Sequence, residues 1–380
     1  MNLFFFFPFV LIGYAALHVY TIFILRRAAP ALRPWAAWMA VIALALFAGP
    51  FITRFLGNRG FVRLAHLAGL VGYTWIAVIF WFSMLSLGFD AWNLLIRLGS
   101  LFAPALARVH VLPKRAAQAS GALVLAAMLW GLLEANALKV ETIVIPVSRW
   151  PAGEQVTLLQ VSDVHLGIGR GGRAWRYLLR AINDLQPDFV VSTGDLTDAP
   201  AAHVRGRAEA LRHRRPYGGV YGVLGNHDFY TRLNESLPFH EAAGIQLLRG
   251  ALVQATPGLW FAGVDDPAGS YTRQPYFTDE GRLAAARPPD EFVVLLKHQP
   301  LVSSSAGVWF DLQLSGHTHG GQLFPFEQIL RLLYPCRRGL HEIAPGKYLY
   351  VNRGAGTWGP PLRLFARPEI TRIVLEGRRK

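Results

Sequence analysis

The sequence predicts two parts of different class, an N-terminal α-helical transmembrane region of about four helices over residues 1–138 and an α/β domain over residues 139–380. Three observations carry this. Four long stretches of the first part contain no Asp, Glu, Lys or Arg. That part has two acidic residues, Asp90 and Glu134, against ten basic ones, whereas the rest of the 380-residue chain has 22 acidic and 28 basic. From about Glu141 the texture changes to short β-branched runs bounded by turn residues, each ending in polar, glycine-containing sequence.

The apolar stretches are Leu3–Leu25, Trp35–Thr53, Leu64–Phe89 and Ala116–Leu133. A helix needs about 20 apolar residues to cross the hydrocarbon core; three stretches meet this, and the fourth is slightly short and rich in small residues. Pro8 and the pair Gly49-Pro50 are expected to kink or end their helices, because proline lacks the backbone donor and clashes with the preceding turn. The first stretch does not read as a signal peptide: it lacks a basic leader, its apolar run is too long, and further spans follow. The competing reading, a buried helical core of a soluble protein, is disfavoured by the scarcity of acidic residues and by arginines gathered at span ends. Loops 26–34 and 90–115 carry seven Lys or Arg, against five in loop 54–63 and the flank after the fourth stretch. The positive-inside rule then puts the C-terminal domain on the outer, periplasmic side of an inner membrane. Residues 91–106, AWNLLIRLGSLFAPAL, are expected to lie along the interface.

The formal net charge of +14 suits phosphates, nucleic acid or anionic headgroups, or reflects only an arginine-rich composition. No run of Lys and Arg with interleaved aromatics is present, so nucleic-acid binding is disfavoured. Cys336 is the single cysteine, which excludes an intrachain disulfide, disfavours a thiolate metal site and reads as a packed thiol. Oligomeric state has no signature in the sequence.

In the second part ETIVIPV, VTLLQVS and FVVSTGD read as strands. RAWRYLLRAINDL has helical spacing and stops at Pro187. GGVYGVLGNHD, LWFAGVDD, EFVVLLKHQP and FDLQLSGHTHGG are further strands that run into polar turns. This is the pattern of an α/β domain whose strand ends build the site.

Five of those ends are SDVHLG (162–167), TGDLTD (193–198), GNHD (225–228), KHQP (297–300) and GHTHGG (316–321). Each alone is weak, since Asn and Asp favour turns and a lone histidine is more often structural. Seven of the twelve histidines, among them His18, His66 and His203, take that structural reading. Together the five ends supply Asp, Asn and His donors just past strands. Carboxylate and amide oxygens mixed with imidazole nitrogens suit Mn²⁺, Fe or Zn²⁺, and seven candidate ligands suggest two metal ions sharing one bridging Asp. Glycines flanking His317 and His319 allow close backbone approach.

The ordered set D-x-H, G-D, G-N-H-D, H and G-H-x-H resembles the calcineurin-like metallophosphoesterases over roughly residues 155–322. SDVHLG, GHTHGGQ and the tail YVNRGAGTWGPPLRLFARPEI are similar to the membrane-associated bacterial YkuE/YaeI-like branch. The resemblance implies two packed β-sheets flanked by helices, and two divalent metal ions. It implies that Asp163, His165 and His319 hold one ion, that Asn226, His298 and His317 hold the other, and that Asp195 bridges them. It implies that His227 is no ligand but donates a proton to the leaving oxygen or stabilises charge. Asp228 either orients His227 or its loop, or caps a helix.

The implied activity is hydrolysis of a phosphoester or pyrophosphate by metal-activated water, on a phosphorylated small molecule or a lipid-linked substrate. A UDP-2,3-diacylglucosamine diphosphatase is one named alternative, a non-enzymatic membrane scaffold another, and a nuclease is disfavoured by the anchor. Arg170 and Arg173 read as substrate-phosphate contacts or as solvated helix-start arginines. QLFPFEQILRLLYPCRRG, apolar and then basic, reads as a lip for a lipid substrate or as an ordinarily packed short helix.

Overall fold

The computed structural model describes residues 3–167 and 171–377. The chain divides into two compact units: one runs to Leu132 and takes in Gly359–Pro361, and the other holds Leu133–Trp358 and the chain from Leu362. The first is helical: α1 (Leu3–Ala28), α2 (Ala36–Phe47), α3 (Gly49–Asn58), α4 (Val62–Ser100) and α5 (Pro113–Ala135), the last of which ends in the second unit. Among the described residues four segments are long and apolar enough to cross a membrane: Pro8–Ala28, Pro30–Phe47, Val62–Ser100 and Pro113–Ala135.

Two boundaries differ from the pattern of apolar runs. The stretch Trp35–Thr53 is not one helix; it breaks at Ala48, and Gly49-Pro50 open α3. A side chain at Gly49 would lie 2.7 Å from the Cα of Gly72, so α3 and α4 cross at two glycines with backbones nearly touching. Of the segment expected along the interface, residues 91–100 are helical, because α4 continues past Phe89 to Ser100, 39 residues in all. At about 1.5 Å per residue it is roughly 58 Å long, nearly twice a hydrocarbon core of about 30 Å. Asp90, within it, forms an ion pair with Arg27 and accepts a 2.8 Å bond from the Tyr20 hydroxyl. His18 is structural, as expected: it lies 2.8 Å from the Tyr14 carbonyl and 2.9 Å from the Trp75 indole N–H.

The second unit carries two six-stranded sheets. Its strands are β1 (Lys139–Val147), β2 (Gln155–Val161), β3 (Phe189–Ser192), β4 (Val220–Gly222), β5 (Ile245–Leu247), β6 (Ala251–Thr256), β7 (Leu259–Gly263), β8 (Phe292–Leu296), β9 (Leu312–Ser315), β10 (Gly339–Ala344), β11 (Lys347–Val351) and β12 (Glu369–Gly377). The first sheet has the order β1-β12-β2-β3-β4-β5 and the second β10-β11-β9-β8-β7-β6. β2 to β5 run parallel, as do β7, β8, β9 and β11. Helices α6 (Gly172–Leu185), α7 (Ala201–Arg212), α8 (Asn226–Thr231) and α9 (Leu233–Ala243) follow the strands of the first sheet. The short helices α10 (Ala268–Thr272), α11 (Glu280–Ala285) and α12 (Phe326–Leu330) belong to the second half.

Period-two alternation builds the layers. Leu158, Val191, Val294 and Leu296 turn into a core shared with Phe261, Leu312, Leu314 and Ile373. Their neighbours Leu159 and Val190 pack against Trp175, Leu178 and Ile182 of α6, while Val293 and Leu295 pack against Phe310 and Leu283. The domain is thus two sheets face to face with helices outside. The C-terminal ends of the parallel strands, where α/β folds place ligands, carry the polar motifs.

Candidate active site

Asp163 and His165 follow β2, Asp195 follows β3, Asn226 and His227 open α8 after β4, His298 follows β8, and His317 and His319 follow β9. Asp163, His165, Asp195, His317 and His319 all have φ between +51° and +71°. This left-handed backbone costs a non-glycine residue roughly 1–3 kcal/mol and persists where surrounding structure demands it. Glycines let the loops close: a side chain at Gly225 would lie 2.1 Å from Asp195 Oδ1, and one at Gly316 would lie 1.9 Å from Ser162 Oγ.

The donor atoms form two groups. In one, His165 Nε2 is 3.0 Å from His319 Nε2, and His319 Nε2 is 3.4 Å from Asp163 Oδ1. In the other, Asn226 Oδ1 is 3.0 Å from both His298 Nε2 and His317 Nδ1, which are 3.2 Å apart. Asp195 Oδ2 joins them, 3.3 Å from His298 Nε2 and 3.9 Å from His165 Nε2. Both carboxylates are held by backbone donors: His227 N–H donates to Asp195 Oδ1 at 2.9 Å, and His317 N–H is shared between Asp163 Oδ2 at 3.0 Å and Oδ1 at 3.2 Å. Asp163 Oδ2 also accepts from the Ser162 hydroxyl at 2.5 Å.

These residues fit a pair of cations. Ligands about 2.1 Å from one ion sit roughly 3.0–3.4 Å from each other in octahedral or tetrahedral geometry, the spacing of both groups. His298 Nδ1 is 2.7 Å from the Thr193 carbonyl and so carries a proton there. The neutral ring would then turn a lone pair on the Asn226 oxygen, an arrangement that only a proton or a cation satisfies. His165 Nδ1 is likewise held by a carboxylate, Asp198 Oδ1 at 2.8 Å, the usual outer partner of a metal-binding histidine.

Asp198, the last residue of TGDLTD, lies outside the seven-ligand pattern, yet it touches two histidines. The same Oδ1 is 2.9 Å from His227 Nδ1. Its signal is its place three residues after Asp195. Asp228 does not do this: it accepts from Gly225 N–H at 2.9 Å and lies 2.8 Å from His240 Nε2, so it shapes the loop at the start of α8. The His227 ring packs edge-on to His165, Tyr230 and Trp358.

The electrostatics are uneven. Burial raises the Asp163 carboxyl, and the nearby charge of Asp195 adds to this. Burial disfavours ionised Asp195 too, but His298 and His227 hold it well below the usual range. Asp198 is held low against burial by His165 and His227. Against burial, Asp195 pushes His298 up to about 10, and Asp198 and Asp195 push His227 up to about 9. Burial and His298 press His317 down to about 4. Burial, His165 and Arg363 press His319 well below its ordinary value.

Of the other candidate residues, Arg173 is exposed on α6, and Arg170 lies outside the described residues. In the lip segment Ile329, Leu332 and Leu333 are exposed, Leu332 by 85%, while the Tyr334 hydroxyl reaches inward to 3.0 Å from His317 Nε2. Arg337 and Arg338 both pair with Glu327. Cys336 is a half-buried free thiol that burial pushes up.

Comparison with known proteins identifies the family. The family model described as calcineurin-like phosphoesterase matches residues 156–321. An uncharacterized metallophosphoesterase of Aquifex aeolicus is 39% identical over 248 residues, which span 65% of this chain and 95% of that protein. A Danio rerio transmembrane protein with metallophosphoesterase domain is 34% identical over 270 residues, 67% of this chain and 62% of the relative. The uncharacterized metallophosphoesterase YkuE of Bacillus subtilis is 32% identical over 235 residues, 58% of this chain and 79% of the relative. The chain belongs to the calcineurin-like metallophosphoesterase family and is a metal-dependent phosphoesterase.

Proposed function

We propose that the protein is a membrane-bound phosphohydrolase with two divalent ions, Mn²⁺, Fe or Zn²⁺, one held by Asp163, His165 and His319 and the other by Asn226, His298 and His317. The observation that carries this reading is the pair of donor groups meeting at Asp195 Oδ2. Two such ions neutralise phosphate oxygens and make water a nucleophile near neutral pH. The chain's own residues supply the rest. Asp195 and Asp163 offer the negative charge that binds cations; the His227 amide on Asp195 Oδ1 leaves Oδ2 turned toward both donor groups, and the His317 amide orients the Asp163 carboxylate. His227, kept protonated by Asp198, gives its proton to the leaving oxygen as the ester bond breaks. Asp198 positions His227 and His165 together, so acid and ligand share one anchor.

The substrate in this reading is a phosphoester or pyrophosphate on a lipid-linked molecule. The apolar helices tether the domain to a membrane, and the exposed Ile329, Leu332 and Leu333 lie on the segment whose Tyr334 touches His317. The charge bias of the loops supports an inner membrane with the domain on its outer face. The test is hydrolysis by full-length protein in detergent with Mn²⁺, on p-nitrophenyl phosphate, its bis ester, and lipid-linked diphosphates including a UDP-diacylglucosamine. Turnover on the lipid diphosphates that Asp195→Asn abolishes is the expected result. Equal turnover by Asp195→Asn sinks the shared-ion mechanism, and turnover confined to the soluble esters sinks the lipid assignment. A folded protein that binds no metal is a scaffold.

A further inference from the structure

The buried Arg363 belongs to the tail segment that the proposed chemistry does not use. It is fully enclosed and has no carboxylate partner among its hydrogen bonds. Its Nε and Nη2 donate to the Gly356 carbonyl at 2.9 and 2.6 Å, and Nη2 also donates to the Gly354 carbonyl at 3.1 Å. Its Nη1 donates to the Ala366 carbonyl at 2.8 Å and the His319 carbonyl at 3.2 Å. Nη2 also stands 3.3 Å from His319 Nδ1. Enclosing a guanidinium against carbonyl dipoles alone is costly unless every donor is used, and a lysine has three donors in a different shape.

The loop that Arg363 grips is itself bound to a ligand segment. Ala355 N–H donates to the Ser162 carbonyl at 2.9 Å, and Gly356 N–H donates to the Asp163 carbonyl at 2.8 Å. Asn352 Oδ1 accepts from Gly354 N–H at 2.7 Å and sets the loop's start. Gly354, at φ +78°, lies so close that a side chain there would meet Asp163 Cβ at 2.8 Å. One guanidinium therefore ties together the loop that seats Asp163 and the backbone of His319. The other group, Asn226, His298 and His317, has no contact with it among the described hydrogen bonds.

We infer that Arg363 is a positioning residue for one cation site only, the site of Asp163, His165 and His319, by holding two of its ligands at their separation. This rests on the two-cation reading above. The test is calorimetric titration of Mn²⁺ into metal-depleted full-length protein in detergent. Asn226→Ala isolates the Asp163 site and His319→Ala isolates the other. Adding Arg363→Lys to Asn226→Ala should weaken binding by about 10–100-fold, the usual loss when an outer partner of a ligand is removed. Adding it to His319→Ala should change affinity less than twofold. Equal weakening in both backgrounds, or none in either, overturns the inference. Wild-type protein that binds no Mn²⁺ overturns the two-cation reading first and is thereby distinguished. If Arg363→Lys does not fold, judged by its thermal transition, Asn352→Ala loosens the same loop without disturbing the buried charge. It should weaken the same site alone, and failure to do so is equally decisive.

Discussion

Asp198 serves two histidines with one oxygen, His165 at 2.8 Å and His227 at 2.9 Å. Removing its charge should therefore disturb ligand and acid together. Asp198→Asn and His227→Gln are each expected to lower kcat by about 10²–10⁴-fold on an alkyl phosphoester, whose leaving oxygen needs a proton. His227→Gln should cost far less on p-nitrophenyl phosphate, whose leaving group needs no proton, whereas Asp198→Asn should keep part of its loss there through His165. Steady-state kinetics on the two esters checks this; equal losses on both esters would remove His227 from the acid role. The rate on the alkyl ester should fall as pH rises through about 9, where His227 loses its proton, and Asp198→Asn should move that fall to lower pH. The motif residues were legible because each sits at a strand end with its own spacing. Asp198 and Arg363 were not, because their partners come from other strands and loops. Asp228 was misleading as an orienter of His227: neighbours on a helix point apart, and its carboxylate folds back to Gly225.

At the scale of elements, Asp311 does for the strand starts what the site does for their ends. It precedes β9, accepts from Val293 N–H of β8 at 2.8 Å, and pairs with Lys347 of β11, Arg287 and Arg149 at 2.7, 3.0 and 3.2 Å. Burial works against its charge, but Lys347, the Val293 amide and Arg149 hold it below the usual carboxylate range. A depressed folded pKa means stability that is complete above the unfolded value of about 3.9 and is lost as pH falls through the folded value. Asp311→Ala should cost about 3 kcal/mol at pH 7, the low end for a broken buried pair because its cations remain partly solvated, and should cost little in strong acid. Thermal unfolding at both pH values checks it. In the helical unit, Gly49→Val should lower the thermal midpoint in detergent, since its side chain would meet Gly72 backbone at 2.7 Å; overpacking of this kind costs about 1–3 kcal/mol. Apolar runs announced β2, β3, β8 and β9 and the helical stretches. They did not announce β5, three residues long, or the placing of β12 between β1 and β2, which depends on pairing across more than 200 residues. The continuation of α4 past Asp90 was hidden for a like reason: that charge is matched by Arg27, 63 positions earlier.

For the whole molecule, composition separates a helical part poor in acidic residues from a mixed domain. The side of the membrane is a matter of seven charges against five. Tyr217, fully exposed on the hydrolase domain, offers a direct probe: Tyr217→Cys in a Cys336→Ser background should react with an impermeant maleimide in intact spheroplasts. Reaction only after lysis would reverse the orientation. Whether two ions share Asp195 is read by electron paramagnetic resonance of the Mn²⁺-loaded full-length protein. The expected result is two Mn²⁺ per chain with the spectrum of an exchange-coupled pair, and loss of that coupling in Asp195→Asn. A wild-type spectrum of isolated Mn²⁺ only, at any loading, would contradict it.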